Sequence, residues 1–256
     1  MGPTFFARRG LALPAQSAPE GIVESLDRYA QHGQSLERVA PAVREFFLRT
    51  RALALRIEPR WRWWSVLFGW AWHGAARVLG QLCVPVVRAE IVTEVLGLAE
   101  RASGRRAARG VLRRYAGSGA AMQVIVYGVH EDRGEGFMSA CFALPGSALE
   151  GILRIECVDE DPRGLCGARL TSEPRATREG DPVGVFLETS WGHVRLPLGE
   201  TLTLWDARSP SAPKELTDPT RCWEGSTVVG VHEQRLFGAV MVRHAYWFRP
   251  VNSQSK

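Results

Sequence analysis

The stretch from Met122 to Val158, MQVIVYGVHEDRGEGFMSACFALPGSALEGILRIECV, decides the fold class. Apolar and polar residues alternate in it with a period of two, which is the pattern of β-strands with one buried face. Turn-forming residues interrupt the alternation at Asp132-Arg-Gly and at Pro145-Gly. The stretch therefore predicts three antiparallel strands joined by tight turns.

The same alternation continues almost to the end of the chain. The predicted strands are Met122–His130, Phe137–Leu144, Leu149–Val158, Leu165–Ser172, Val183–Thr189, His193–Leu198, Thr201–Asp206, Thr227–His232 and Ala239–Arg249. Many short strands at this spacing are typical of a barrel or a strongly curved sheet. We therefore expect residues 120–251 to form a curved antiparallel sheet or a partly open β-barrel.

The residues before this region follow a different pattern. Apolar residues recur at helical spacing in much of residues 19–116, which predicts helices from Pro19 to Ala30, from Ser35 toward Thr50 and from Ala89 to Tyr115. Pro41 is awkward within the second of these unless that helix starts there. The alternation of Leu53, Leu55 and Ile57 predicts one strand there. The sequence thus predicts an α+β protein in which N-terminal helices cover the sheet. Residues 1–18 are expected to be a loose tail, without the long apolar run of a signal peptide.

Five of the nine tryptophans lie in the segment Trp61–Val87. A helix here has three interpretations: it packs into the concave side of the sheet, it lies on a membrane with Trp70 and Trp72 in the lipid, or it spans the membrane. Arg77 and the terminal Pro85 weaken the last interpretation.

The chain has a formal net charge of +5, carried mostly by arginine, since only Lys214 and Lys256 are lysines. Arginines recur every four residues from Arg101 to Arg113, which predicts a solvated helix face or a face toward anionic lipid. We see no adjoining recognition helix, so a nucleic acid partner is not favoured. The five cysteines show no CxxC spacing and no evident disulfide framework, which favours the cytoplasm, with peripheral attachment to the inner face of the membrane as an option.

The familiar motifs of nucleotide enzymes, zinc proteases and α/β-hydrolases are absent from the sequence. No metal and no cofactor are therefore predicted. The absence does not exclude an acid–base enzyme whose residues are scattered along the chain, so the sequence leaves open whether the protein is an enzyme.

Candidate catalytic residues lie in the last two predicted strands. His244 and Tyr246 share one strand face, where burial would keep the imidazole neutral and suited to act as a base. His232-Glu233 repeats the pair His130-Glu131, and a carboxylate from the other copy is expected to orient each imidazole. The alternatives are a structural histidine at 244 and solvated turn residues at the two pairs.

A curved sheet closed by a helix commonly encloses an apolar cavity. The aromatic residues expected to line it are Phe137, Phe142, Phe186, Trp205 and Phe248. The leading hypothesis is therefore binding of an apolar small molecule or lipid. The alternatives are a cofactor-independent cyclase, isomerase or hydratase acting on an apolar metabolite, and a peripheral membrane protein.

Four parts of the sequence carry a resemblance to known proteins: Val43–Thr50, Trp61–Trp64, Gly80–Pro85 and the end from Gly238 to Pro250. This layout resembles uncharacterised bacterial proteins that combine a helical, Trp-containing N-terminal part with a β-rich C-terminal part. The resemblance implies no activity and no site residue.

Overall fold

The computed structural model describes residues 5–11, 19–31, 34–79, 81–99, 107–175 and 180–251. A single antiparallel sheet of twelve strands dominates it. The strands are β1 Leu53–Trp61, β2 Ala89–Gly97, β3 Arg109–Tyr115, β4 Ala121–Asp132, β5 Glu135–Leu144, β6 Ser147–Val158, β7 Gly167–Thr171, β8 Gly184–Thr189, β9 Gly192–Arg195, β10 Leu198–Asp206, β11 Val228–Leu236 and β12 Ala239–Pro250.

Ten of the twelve strands form a closed barrel. The ring runs from β1 through β7 in chain order, continues with β10, β11 and β12, and returns to β1. Pairing of β1 with β12, from Leu53 opposite Pro250 to Trp61 opposite Val242, closes it. The hairpin of β8 and β9 lies outside the ring, because β8 pairs with the first half of β6 while β7 pairs with the second half.

The first half of the chain is less helical than its pattern predicts. The described α-helices are α1 Phe5–Arg8, α2 Pro41–Leu48, α3 Val66–Leu79 and α4 Lys214–Thr217. The helix expected over residues 89–115 is wrong, because β2 and β3 occupy that region. The arginine spacing misleads here: residues four apart share a face of a strand as well as of a helix. Of that row, Arg101 and Arg105 lie outside the described residues.

Other predicted elements are confirmed. All nine strands expected after residue 120 are present, and so is the strand that starts at Leu53. Helix α2 begins at Pro41, where a missing backbone N–H costs no hydrogen bond. The helix expected from Pro19 to Ala30 is wrong, since only a 3-10 turn at Asp27–Tyr29 forms there.

One end of the barrel is filled by apolar side chains from α2 and the residues before it. The ring of Phe46 in α2 lies 4.9 Å from that of Phe248 in β12, centroid to centroid. Ile22, Leu26 and Val43 belong to the same buried cluster. The sequence predicts a layer of helices over the sheet, and the described residues form no such layer. Helix α2 instead completes the core at one end of the barrel.

Helix α3 crosses the opposite end of the barrel. Before its first turn, Ser65 Oγ donates to the carbonyl of Met241 in β12 at 2.6 Å. After its last turn, Gln81 Nε2 donates to the carbonyls of Val124 in β4 at 2.7 Å and Ala143 in β5 at 3.3 Å. The helix therefore bridges strands on different sides of the ring, over the barrel mouth.

The structure contains a disulfide that the cysteine spacing does not predict. Cys157 and Cys166 are disulfide-bonded between β6 and β7, so the expectation of no bridged pair is wrong. A pair nine residues apart can meet because a hairpin brings its strands together.

Within the described ranges, no helix has the length and hydropathy needed to cross a membrane.

Candidate functional site

The barrel encloses a cavity of about 410 Å³, within the ~300–1,000 Å³ typical of small-molecule sites. Most of its lining is apolar, and α3 contributes Phe68 and Trp72 at the mouth. The polar side chains that reach it come from five strands and are Arg113, Gln123, Tyr127, Glu200, His232, Gln234, Arg235 and Tyr246.

A carboxylate, an imidazole and a phenol form a hydrogen-bonded chain on the cavity wall. His232 in β11 lies between the other two, with Nε2 3.3 Å from Glu200 Oε2 and Nδ1 3.0 Å from the hydroxyl of Tyr246. Burial raises the pKa of Tyr246, so its phenol keeps its proton. A neutral His232 then carries its proton on Nε2, donates it to Glu200 and accepts from Tyr246.

The carboxylate of Glu200 fits because β6 carries a glycine beside it. An ideal Cβ at Gly151 would lie 2.7 Å from Glu200 Oε1, closer than such atoms approach. Any side chain at position 151 therefore displaces Glu200. The glycine thus serves the packing of the site rather than backbone freedom.

His244 is buried beside this chain, with only 2% of its surface exposed. Its ring centre lies 5.8 Å from that of His232 and 6.0 Å from that of Tyr246. Neither ring nitrogen makes a hydrogen bond of ordinary geometry with the described residues. Burial, with a smaller contribution from the neighbouring His232, lowers the pKa of His244 to about 3, so this imidazole is neutral at physiological pH.

Arg113 in β3 brings a positive charge into the barrel. Its side chain lines the cavity, and only 9% of the residue is exposed. Nη1 lies 3.4 Å from Gln123 Oε1, and Nε has no hydrogen-bond partner among the described residues. The guanidinium lowers the pKa of Tyr127 and of Tyr246, against the larger, raising effect of burial.

Three of the four predicted catalytic residues come together inside the barrel: His232, His244 and Tyr246. Glu233 does not, because neighbours in a strand point to opposite faces. It lies on the outside, 2.5 Å from Arg235 and 3.7 Å from Arg243. The carboxylate beside His232 is Glu200, so the expected pairing of His232 with Glu131 is wrong.

The five aromatic residues expected to line the cavity lie in different places. Phe142 and Phe248 line the cavity. Phe137 packs outside it in a cluster that includes Phe186. Trp205 also faces outward, where its indole donates to Asp159 Oδ2 at 3.0 Å. The alternation of each strand places these residues on the face opposite its cavity-lining members.

Sequence reasoning missed Arg113, Tyr127 and Glu200 as site residues. The spacing of the arginines predicts a helix face for Arg113. This hides the strand alternation that Arg113 shares with Val111 and Tyr115. Glu200 and Tyr127 carry no local signal, because only the pairing of strands places them near His232 and Arg113. No group of three or more His, Cys, Asp or Glu that could hold a metal ion is found among the described residues.

The chain is similar to a known protein over part of its length. No protein-family model and no solved structure matches the chain. The chain is similar to YndJ of Bacillus subtilis. The two are 25% identical over 190 residues, and the relative is named an uncharacterized membrane protein. The aligned region covers 72% of this chain and 33% of YndJ, so the chain spans about a third of that relative's length. The predicted resemblance to uncharacterised bacterial proteins is confirmed, and YndJ indicates no activity.

The outer face of α3 and its flanks is unusually apolar. Trp63 is 87% exposed and Trp70 is 56% exposed. Other large apolar residues exposed in this segment are Trp64, Leu67, Phe68, Val78 and Val87. Trp72 instead turns toward the barrel, where its indole donates to the carbonyl of Leu82 at 3.0 Å. Of the two predicted membrane-contact residues, only Trp70 therefore lies on this exposed face.

Proposed function

We propose that the protein binds an apolar small molecule or lipid inside its barrel. The observation that carries the proposal is the cavity of about 410 Å³, whose wall is apolar over most of its surface and includes a minority of polar side chains. Protein interiors are normally packed without such spaces, and an apolar hollow gains free energy by accepting a guest of matching chemistry. A closed barrel is compatible with this role.

A neutral hydrophobic dye tests the proposal directly. Nile red should bind the purified protein with a blue-shifted emission, and saturating 1-dodecanol should displace it. A ligand at one hundred times its Kd stabilises the native state by about 2.7 kcal/mol, which raises the Tm of a chain this size by roughly 5–10 °C.

Variants show where the dye binds. Ala140 lines the cavity, so Ala140→Phe should fill it and weaken dye binding at least tenfold. Val92 is exposed on β2, so Val92→Phe adds a ring of the same kind outside the barrel and should leave binding unchanged. Equal loss in both variants, or no binding by the wild type, would contradict the proposal.

The exposed face of α3 suggests where such a ligand is collected. Its tryptophans are suited to the headgroup region of a bilayer, and Arg62 and Arg77 are exposed in the same segment to meet anionic lipid. The name of YndJ, a membrane protein, agrees with this arrangement.

Flotation with vesicles containing phosphatidylserine should carry the wild type upward and leave Trp63→Ser/Trp70→Ser behind. If the variant floats to the same extent as the wild type, the exposed tryptophans of α3 do not attach the protein to the membrane.

A second candidate is an acid–base enzyme acting on the bound molecule. The chain Glu200–His232–Tyr246 favours it, because a carboxylate orients an imidazole that in turn contacts a phenol at the cavity wall. Native mass spectrometry separates this candidate from a carrier. An enzyme inactivated by His232→Gln should co-purify with a molecule that differs from that in the wild type in mass or, for an isomerase or a cyclase, in chromatographic retention and fragmentation after release. A carrier should retain the same molecule in both.

A further inference from the structure

The guanidinium of Arg113 is a buried charge that pairs with no carboxylate among the described residues. In the part of the chain that the structure describes, no ion pair joins it to any acidic side chain, and its one hydrogen bond is the long one to Gln123. Burying a charge costs several kcal/mol unless it is paired and hydrogen-bonded. Arg113 must therefore either be tolerated at a cost or be matched by something that enters the cavity.

The other deeply buried arginine of the barrel shows how this fold normally treats such a charge. Arg154 is 4% exposed and donates to Glu156 at 2.7 Å, to Asp181 at 3.0 Å and to the backbone carbonyl of Glu173 at 3.1 Å. Two carboxylates thus match one guanidinium. Among the described residues, Arg113 has no comparable set of acceptors, although it is also a buried arginine of a barrel strand.

The side chain of Arg113 lies on the inward face of β3, where a ligand in the cavity would meet its charge. Its alternation partners Val111 and Tyr115 face the interior with it, and the neighbouring Leu112 packs outside with Phe6. Glu200, which also lines the cavity, is engaged by His232 and makes no ion pair with Arg113. The phenols of Tyr127 and Tyr246 line the same cavity. Most of the remaining lining is apolar, including Phe68 and Trp72 at the mouth under α3.

We propose that the ligand of the cavity is an amphiphile with one anionic head, a carboxylate or a phosphate monoester, held by Arg113. Both groups match the planar fork of a guanidinium, which donates two parallel hydrogen bonds. The apolar chain of the ligand extends from Arg113 toward Phe68 and Trp72 at the mouth. This inference rests on the proposed binding of an apolar molecule and adds the chemistry of its head.

The test compares ligands that share a chain and differ in the head. Dodecanoate, dodecyl phosphate and 1-dodecanol are each titrated against the protein loaded with Nile red, which is neutral. At least one of the two anions should bind on the order of 10-fold to 100-fold more tightly than the alcohol, as expected for charged hydrogen bonds in a desolvated site. The tighter anion identifies the head.

Adjacent arginines provide a matched pair of variants. Arg113→Gln should lose that preference and bind the alcohol within about twofold of the wild type. Arg114 is the next residue of the same strand, faces outward and pairs with Glu94 at 3.2 Å. Arg114→Gln makes the same change of charge and should keep the wild-type preference.

The outcomes separate the inference from the function on which it rests. If the wild type binds the alcohol as tightly as both anions, the anionic head is wrong and the apolar site stands. If no dodecyl compound displaces or replaces the dye, both are wrong. The comparison of ligands on the wild type needs no variant, so poor folding of Arg113→Gln does not remove the test.

Discussion

His244 shows at the scale of one residue how burial makes a protein sensitive to acid. Its folded pKa is about 3, against an ordinary value of 6.5. Between these two values the unfolded chain takes up a proton that the native imidazole refuses, so stability falls as pH falls through this window. Each pH unit inside it costs about 1.4 kcal/mol.

We therefore expect the wild type to lose about 2 kcal/mol of unfolding free energy through His244 between pH 7 and pH 5. His244→Phe should remove that part of the loss, as measured by urea unfolding at both pH values. His193 is exposed in β9, so His193→Phe should keep the wild-type dependence. An identical pH dependence in all three proteins would show that His244 is not the source.

At the scale of one element, α3 depends on two glycines in opposite ways. A Cβ at Gly69 would lie 2.8 Å from three atoms of the Trp61 indole, whereas nothing lies within 4 Å of a Cβ at Gly74. Gly69→Ala should thus push the helix away from the end of β1. Gly74→Ala should stabilise the helix by up to ~1 kcal/mol, because alanine has the higher helix propensity.

Hydrogen exchange of the α3 amides measures both effects. Exchange should become at least several-fold faster in Gly69→Ala and slower in Gly74→Ala, and dye release should follow the same order if the helix gates the mouth. Slower exchange in both variants would mean that the contact with Trp61 does not hold α3 in place.

At the scale of the whole molecule, stability depends on closing the ring. Strand β12 is paired on both sides, with β1 and with β11, whereas β9 is paired only with β8 at the edge. A proline in a central strand removes a ladder hydrogen bond, while an edge strand tolerates it. Ala245→Pro should therefore abolish cooperative folding, and Val194→Pro should lower Tm by a few degrees at most. Near-UV circular dichroism and a thermal melt distinguish the two. A folded Ala245→Pro protein would show that the barrel does not depend on β12.

Prediction from the sequence succeeded where the signal is local and failed where it is shared by two structures. The nine later strands and the start of α2 follow from alternation and from Pro41. Strand β3 was mistaken for a helix because arginines four residues apart fit both periods. The error removed Arg113 from the predicted site, although His232, His244 and Tyr246 were found.

The sequence by itself determined which residues of each later strand share a face, because side-chain alternation is a property of the strand alone. Tertiary structure decided which of those faces turns inward and which strands are neighbours. His232 meets Glu200 and Tyr246 through the pairing of β10, β11 and β12, and Arg113 lines the same cavity from β3. These contacts link residues far apart in the chain, and closure of the sheet, which no local pattern encodes, is what brings them together.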